Sequence, residues 1–320
     1  MRNLYLTPQD SINEMIRTIP VDSEEETILH LAPGTYYEKV VIDRPHLRLT
    51  GQSPENTIIC FDDYANKKMP DGSFFGTFRS WTMLLDASFV TLENLTISNT
   101  SRPRKQVGQA IALYADGDQL HIRNCHLLSL QDTLFTGPLP PTERKPGGFV
   151  GPKEFAPRIN GRQYYENCYI CGNVDFIFGS ASAWFTNCHI EAISDSEDCP
   201  AYLTAASTPE GQAIGYVFDR CRLTAKGFKP GSVYLGRPWR DFARTVFLNC
   251  YMDESIHPAG FHDWNRPESH QTVLYGEYHC YGPGASRTDR VPFCRELSEK
   301  EAAGYDLQLL PHLPDRYFPE

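Results

Sequence analysis

The chain has 320 residues, 41% of them hydrophobic, and a formal net charge of −10. That is enough apolar material for a large core, and length alone leaves one long unit or two ordinary domains open. The acidic balance, with no basic run, argues against a nucleic-acid-binding patch, and any polyanionic ligand would have to be held by local contacts. No stretch of about 18 apolar residues occurs, so no membrane-spanning helix is expected.

In chain order, the first eight residues lack the apolar core of a signal peptide. The expectation is a cytoplasmic protein; the alternative is a secreted one whose leader was trimmed. Residues 10–19 predict a short helix. Ser11 and Glu14 have capping-box spacing, Ile12, Met15, Ile16 and Ile19 form one apolar stripe, and Pro20 stops it. Such a helix is suited to covering the open end of a solenoid. From residue 27 the pattern changes to short strands, at residues 27–31, 37–42, 47–51 and 57–60, divided by Pro, Gly, Asn and Asp. Residues 62–80 are polar, contain a Pro70-Asp71-Gly72 turn, and read as a surface loop.

A repeat then becomes explicit. Segments around Asn94, Asn124, Asn167, Asn187, Arg220 and Asn249 each read apolar-x-apolar-x-[Asn/Arg]-[Cys/Leu]-x-apolar. The landmarks are 30, 43, 20, 33 and 29 residues apart, and a period in the twenties with insertions is the mark of a coil-by-coil parallel architecture. Asparagines at one bend can bond up and down a stack. Cys125, Cys168, Cys188, Cys221, Cys250 and Cys280 share one repeat position, which predicts a core column of free thiols. Cys168 and Cys171 have CxxC spacing, but without a second pair or nearby histidines a metal site is not expected. Hairpin turns are scarce; Asn160-Gly161 is the one example. The fold expected is all-β: a single-domain right-handed parallel β-helix spanning residues 1–320, with a short N-terminal capping helix and a C-terminal helix and tail.

The largest insertion, residues 137–160, is rich in Pro and Gly and begins just after Asp132, so it is expected to wall one end of any cleft there. Gly282-Pro283-Gly284 is expected to end the strands. Ser298 and Glu301 have capping-box spacing, and a tail through Pro311, Pro314 and Pro319 is expected to pack outside.

Chemistry concentrates at two points of the repeat. Asp132 lies seven residues after Cys125, and Asp175 seven after Cys168. Equal offsets on stacked turns put both acids at one register, about 4.8 Å apart. Two carboxylates that close do not both ionise easily, which suits acid/base or nucleophilic chemistry; acids merely facing solvent on a regular scaffold are the alternative. Gln109 and Gln131 are candidate donors to a developing oxyanion. Arg237 could hold one acid ionised, and Trp239 offers a surface for a sugar.

Taken together, Gly34-Thr35-Tyr36-Tyr37-Glu38, residues 109–113, residues 131–134, residues 175–179, residues 235–239, residues 260–264 and Gly282-Pro283-Gly284 resemble, in order, the motifs of the pectin methylesterases (pectinesterases). The resemblance covers nearly the whole chain and implies a right-handed parallel β-helix. It also implies hydrolysis of the C6 methyl ester of galacturonate units in pectin or methylated oligogalacturonides, without metal or cofactor. On it, Asp175 matches the nucleophile, Asp132 the general acid/base, Gln109 and Gln131 the oxyanion donors, and Arg237 the partner of the nucleophile. Trp239, Phe135, Thr82 and Phe178 are the substrate contacts it implies. A monomer is expected, with neither nucleic acid nor membrane as partner. Tyr114, Ser180 and Phe261 depart from the family's usual Arg, Asn and Trp, and are expected to bear on subsite preference. A lyase or glycoside hydrolase on the same fold and a non-catalytic sugar-binding protein are the alternatives; methanol release separates them.

Overall fold

The computed structural model describes residues 1–194 and 200–313. The short strands wind into a right-handed parallel β-helix with three long sheets. Each full coil contributes one strand to each sheet. In the coil that carries Asp132 these are Leu120–Arg123, His126–Leu128 and Leu134–Thr136. In the next coil they are Arg162–Glu166, Tyr169–Gly172 and Ile177–Gly179. The pairing between these coils is parallel on all three faces, with Ile122 opposite Tyr165, Leu127 opposite Ile170 and Leu134 opposite Ile177.

The corner between the first and second sheets explains the asparagine repeat. Asn94, Asn124, Asn167, Asn187 and Asn249 have φ between 50° and 56°, in the left-handed region, where Arg220 (53°) and His279 (48°) also lie. Asn tolerates that conformation better than other residues with a Cβ, because its short amide bonds locally. The side chains also bond along the stack: Asn124 Nδ2 donates to Asn94 Oδ1 (3.2 Å) and Asn249 Nδ2 to Asp219 Oδ1 (3.2 Å).

Inside that corner the expected thiol column is present. Cys125, Cys168, Cys188, Cys221 and Cys250 are buried and Cys280 is half-buried; all six are free. Cys199 lies outside the described residues. Beside the column runs an aromatic stack that periodicity did not reveal. Tyr165, Phe185, Phe218 and Phe247 occupy one register on successive coils, with ring centroids 4.6, 4.5 and 4.8 Å apart and near-parallel planes.

The two ends of the helix are closed by different devices. The N-terminal helix is Ile12–Arg17, and it buries Ile12 and Ile16 against the first coils. Ser11 accepts from Glu14 N, but among the described residues no carboxylate returns a bond to Ser11 N, so the expected capping box is half formed. Glu38 accepts from Ile12 N, Asn13 N, Ser11 Oγ and Asn13 Nδ2, so a carboxylate from the neighbouring turn sits on the positive end of the helix. At the other end the strands do not stop at Gly282. Cys294–Glu296 adds one more to the first sheet. Arg290 and Glu277, each 2% exposed, pair there through Nε and Nη2 at 2.8 and 3.2 Å. The capping box at Ser298 and Glu301 is complete. Arg162 Nη1 ties the tail down through Pro311 O and Leu313 O. Pro314 and Pro319 lie outside the described residues.

Two further expectations need correction. Residues 37–42 are not one strand; Gly34–Tyr37 and Val40–Ile42 lie in different sheets. Residues 62–80 are more than a surface loop. Asp63 is buried between Lys39 and Lys67 (2.7 and 2.6 Å), and Phe78 is buried against Phe135.

Candidate active site

The chain leaves the second sheet and enters the third through a corner that, in two successive coils, carries an aspartate. Asp132 and Asp175 both stand two residues before paired strand residues, Leu134 and Ile177, so they occupy one register one coil apart. Both have left-handed backbones, with φ of 64° and 51°. The coil-to-coil bonds Asp132 N to Val174 O (3.1 Å) and Leu134 N to Phe176 O (2.8 Å) fix their spacing.

Each aspartate is 7% exposed, so burial alone does not distinguish them. Their partners do. Arg237 grips Asp175 through two parallel bonds, Nε to Oδ1 at 2.8 Å and Nη2 to Oδ2 at 2.7 Å. The guanidinium is itself held between two rings, 3.9 Å from the centroid of Tyr202 and 3.7 Å from that of Trp264. Among the described residues Asp132 has no cation of its own. Burial and the neighbouring Asp175 push its carboxyl well above the usual range, with Arg237 only partly opposing. Burial also raises Asp175, but there the Arg237 fork pulls back. Charge is therefore favoured on Asp175 and a proton on Asp132.

The cleft over the pair has a volume of about 350 Å³. Gln109, Gln131, Phe78, Phe178, Trp239 and Trp264 line it beside the acids. The half-buried amides of Gln109 and Gln131 have no hydrogen-bond partner among the described residues, so both keep donors for a ligand. Phe78, Phe178 and Trp239 form a wall, with centroids of Phe178 and Trp239 5.6 Å apart.

Seven of the nine expected site residues thus meet: Asp132, Asp175, Gln109, Gln131, Arg237, Trp239 and Phe178. Two do not. Thr82 is fully buried and its hydroxyl donates to Ser98 O (3.1 Å), inside the coil. Phe135, the register partner of Phe178, is covered by Phe78 (5.2 Å) and Tyr114 (4.6 Å), so it supports the wall from behind. The three family departures also lie off the cleft surface. Tyr114 is buried with its hydroxyl unpaired, Ser180 bonds Ser207 (2.8 Å), and Phe261 stacks on Tyr275 (4.0 Å). None of the three lines the cleft.

The insertion does wall the cleft, contributing Arg144, Lys145, Gly148 and Phe149 to its lining. It is braced by Arg158, which donates to the carbonyls of Lys153, Glu154, Ala156 and Pro140, and by an ion pair of Lys153 with Asp86. Phe78, Trp264 and the cations of the insertion are the site residues that motif reading missed. Phe78 sits in a short 3-10 helix, Thr77–Arg79, and the others in loops, where no period marks which side chains turn inward.

Among the described residues no helix is long and apolar enough to cross a membrane. The family model described as Pectinesterase matches residues 7–139 and 158–309, passing over most of the insertion. Pectinesterase 31 of Arabidopsis thaliana is 33% identical over 302 residues, covering 92% of this chain and 86% of that protein. A solved pectin methylesterase in complex with a hexasaccharide superposes with a TM-score of 0.79 at 25% identity, covering 100% of this chain and 99% of the other. Carrot pectin methylesterase gives 0.77 at 26% identity, covering 100% and 97%. The cytoplasmic location expected from the first eight residues finds no support in these likenesses. The matched length, the identity and the fold agree: the chain belongs to the pectinesterase family.

Proposed function

We propose that the protein hydrolyses the C6 methyl ester of galacturonate units in pectin or methylated oligogalacturonides, releasing methanol and leaving a free carboxylate. The observation that carries this reading is the asymmetric carboxylate pair: one acid gripped by Arg237, its neighbour buried without a cation. Membership of the pectinesterase family supports the substrate class.

An ionised Asp175 attacks the ester carbonyl carbon. The oxygen of that carbonyl takes up negative charge, and the amides of Gln109 and Gln131 donate to it. Asp132 gives its proton to the methoxy oxygen as the carbon–oxygen bond breaks, so methanol leaves neutral. The product of this step is an anhydride between Asp175 and the uronate. Asp132, now a carboxylate, takes a proton from a water molecule as that water attacks the anhydride. Asp175 departs as a carboxylate, to which Arg237 is already bonded, and the free uronate is released. Arg237 lowers the charge cost of the ionised Asp175 at both the start and the end. Trp239 and Phe178 give the sugar an apolar face to lie on. The protein acts as a monomer and as one domain on this reading.

The test is the product formed from methylated hexagalacturonate and from polymeric pectin. Methanol with unchanged chain length is expected. New reducing ends or unsaturated products without methanol would contradict the proposal.

A further inference from the structure

Trp264 is held in a backbone conformation that its own side chain does not favour. Asp263 and Arg266 bound a tight turn, closed by Arg266 N donating to Asp263 O (3.1 Å). Its two central residues, Trp264 and Asn265, are both left-handed, with φ of 57° and 56°. Two such residues in a row mark a mirror-image turn, which glycine, asparagine and aspartate normally fill. Asn265 suits its place. Trp264 does not, being bulky and without a short polar group to bond locally. A sparsely populated backbone persists only where its surroundings over-determine it.

Those surroundings begin with His262. Phe261 anchors the segment by stacking on Tyr275 (4.0 Å), and His262 N then donates to Gly236 O (3.0 Å), next to Arg237. Trp264 N donates to His262 Nδ1 at 2.8 Å. Asn265 N donates to Asp263 Oδ1 (2.8 Å), and Asp263 Oδ2 meets His270 Nε2 (3.0 Å). Arg266 fastens the far end of the turn by its pair with Asp241 (2.6 Å). The His262 ring thus does what an asparagine side-chain oxygen does in an Asx-turn, accepting from the backbone two residues on. His257 repeats the arrangement with Ala259 N (3.1 Å), but there the residue set by the bond is an alanine.

The bond from Trp264 N needs a lone pair on Nδ1. A protonated imidazole has none, because both of its nitrogens then donate. Solvent reaches the ring through a second cavity, of about 560 Å³, lined by Tyr234, His262, Asp263, His270 and Phe293. Tyr202 and Tyr234 of the third sheet meet the ring edge-on, with centroids at 5.9 and 5.4 Å. The other titratable or charged groups around it are Asp263, with Oδ1 4.0 Å from Nδ1, His270 beyond Asp263, His257 stacked on Tyr234 (4.2 Å), and Arg237 over Tyr202 (3.9 Å). Burial works against the Asp263 charge, but the bonds from Asn265 N and His270, with His262 nearby, hold its carboxyl below the usual range. Burial lowers His257, and His262 and Arg290 add to this.

We propose that His262 is a positioning residue for the ester hydrolysis: its proton-free Nδ1 holds Trp264 against Arg237, and a proton on that nitrogen releases the clamp on the guanidinium that grips Asp175. His262 acts through Trp264, whose ring centroid lies 3.7 Å from the Arg237 guanidinium. The inference rests on the esterase reading given above and adds a residue to that site. It gives the enzyme a loss of activity in acid that is separate from protonation of Asp175.

Two variants and one spectroscopic probe test this. His262→Asn keeps an acceptor at the place of Nδ1 and cannot be protonated there; His262→Phe keeps a ring and loses the acceptor. His262 is half-buried in a loop, so both should fold, and circular dichroism checks that. The first measurement is kcat for methanol release from methylated hexagalacturonate across pH. At the top of the profile His262→Phe should lower kcat roughly 10–10²-fold, the size of a small misplacement at a reacting centre, and His262→Asn should return it to near the wild-type value. His262→Asn should also stay active to lower pH than wild type, because protonation of Asp175 is common to both proteins and protonation of His262 is not. A merely structural histidine would not move the acid limb. The second measurement is fluorine NMR of protein containing fluorotryptophan, its four tryptophan signals assigned with the help of Trp264→Phe. The Trp264 signal should shift over the pH range in which wild type and His262→Asn diverge, and should stay in place in His262→Asn. Wild-type kcat in His262→Phe, a His262→Asn as slow as His262→Phe, coincident acid limbs, or a Trp264 signal indifferent to pH would each overturn the positioning role. A pH-dependent Trp264 signal in a protein that releases no methanol from any ester would uphold the clamp and overturn the esterase reading alone.

Discussion

Two corners of the coil use the same backbone device for opposite ends. At the corner between the first and second sheets, Asn94, Asn124, Asn167, Asn187 and Asn249 take a left-handed conformation, coil after coil. At the corner between the second and third sheets, Asp132 and Asp175 do the same. Left-handed φ at an aspartate is therefore not in itself a sign of strain held for catalysis; it is how this fold turns. What differs is the side chain. An amide both donates and accepts, so stacked asparagines satisfy one another, as Asn124 and Asn94 do at 3.2 Å. A carboxylate only accepts, and two in register repel. The second corner is tolerable only with Arg237 on one acid and a proton on the other. Isosteric groups at equivalent corners thus give a structural ladder in one place and a reactive pair in the other.

The comparison can be broken most severely at Asp175. Asp175→Asn should cost at least about 10⁴-fold in kcat, because no other group can serve as nucleophile. It should also lower thermal stability, since it relieves a repelling acid but leaves the largely buried Arg237 guanidinium without its forked carboxylate. Asp132→Asn should cost roughly 10²–10⁴-fold, the usual worth of a proton donor to a poor leaving group. The double variant should be scarcely worse than Asp175→Asn, because both residues serve one sequence of steps. Rate constants for methanol release in the three variants check this, and effects that multiply would contradict it.

A smaller loss is expected from Gln109→Ala or Gln131→Ala, on the order of 10²–10³ in kcat for each donor removed. KM should change little, because the charge they meet develops only in the transition state.

The pH profile sharpens the contrast between the two acids. Activity should rise with pH as Asp175 ionises, since the nucleophile must be charged. It should fall again as Asp132 loses its proton, since the acid must be protonated. Because burial and Asp175 raise the Asp132 carboxyl well above the usual range, the falling limb should lie well to the alkaline side of an ordinary aspartate. A profile of kcat/KM that already falls in the ordinary carboxylate range would contradict the assignment.

The smallest effects belong to the structural corner. Asn124→Ala should cost about 1–2 kcal/mol, the penalty for an L-residue held left-handed without local bonding. Arg220→Asn should gain about 0.5–1 kcal/mol for the converse reason, its ion pair with Asp219 at 2.9 Å being largely exposed and worth little. Denaturant midpoints measure both, and neither change should alter kcat.

Residues in the strands were readable from sequence because parallel coils repeat a pattern with a fixed reference point. Equal spacing from Cys125 and Cys168 was enough to pair Asp132 with Asp175. The same reasoning stops at the side of a strand. Phe135 and Phe178 are in register, yet only Phe178 meets the cleft, because Phe78 from the distant 3-10 helix Thr77–Arg79 covers Phe135. Thr82 sits in a bend whose side chain turns into the coil and bonds Ser98 O, which no motif spacing encodes. Glu38 caps the first helix across 24 or more residues of sequence, so the local Ser11–Glu14 spacing suggested the wrong carboxylate. Trp264, which clamps Arg237, lies at a loop position with φ of 57°, set by tertiary packing rather than by period. Arg144 and Lys145 were hidden for the same reason, as exposed residues within an irregular insertion.

The most direct test of the account is the protonation state of the pair itself. Carbon-13 NMR of protein labelled at the aspartate carboxyl carbons, assigned with Asp132→Asn and Asp175→Asn, reports each acid separately. At a pH above the ordinary aspartate range, the account predicts a protonated Asp132 beside an ionised Asp175. Removing the fork with Arg237→Ala should then bring the two carboxyls closer to equal sharing of the proton. Finding both acids ionised at that pH, or the proton on Asp175 in the intact protein, would contradict the division of labour from which the mechanism is built.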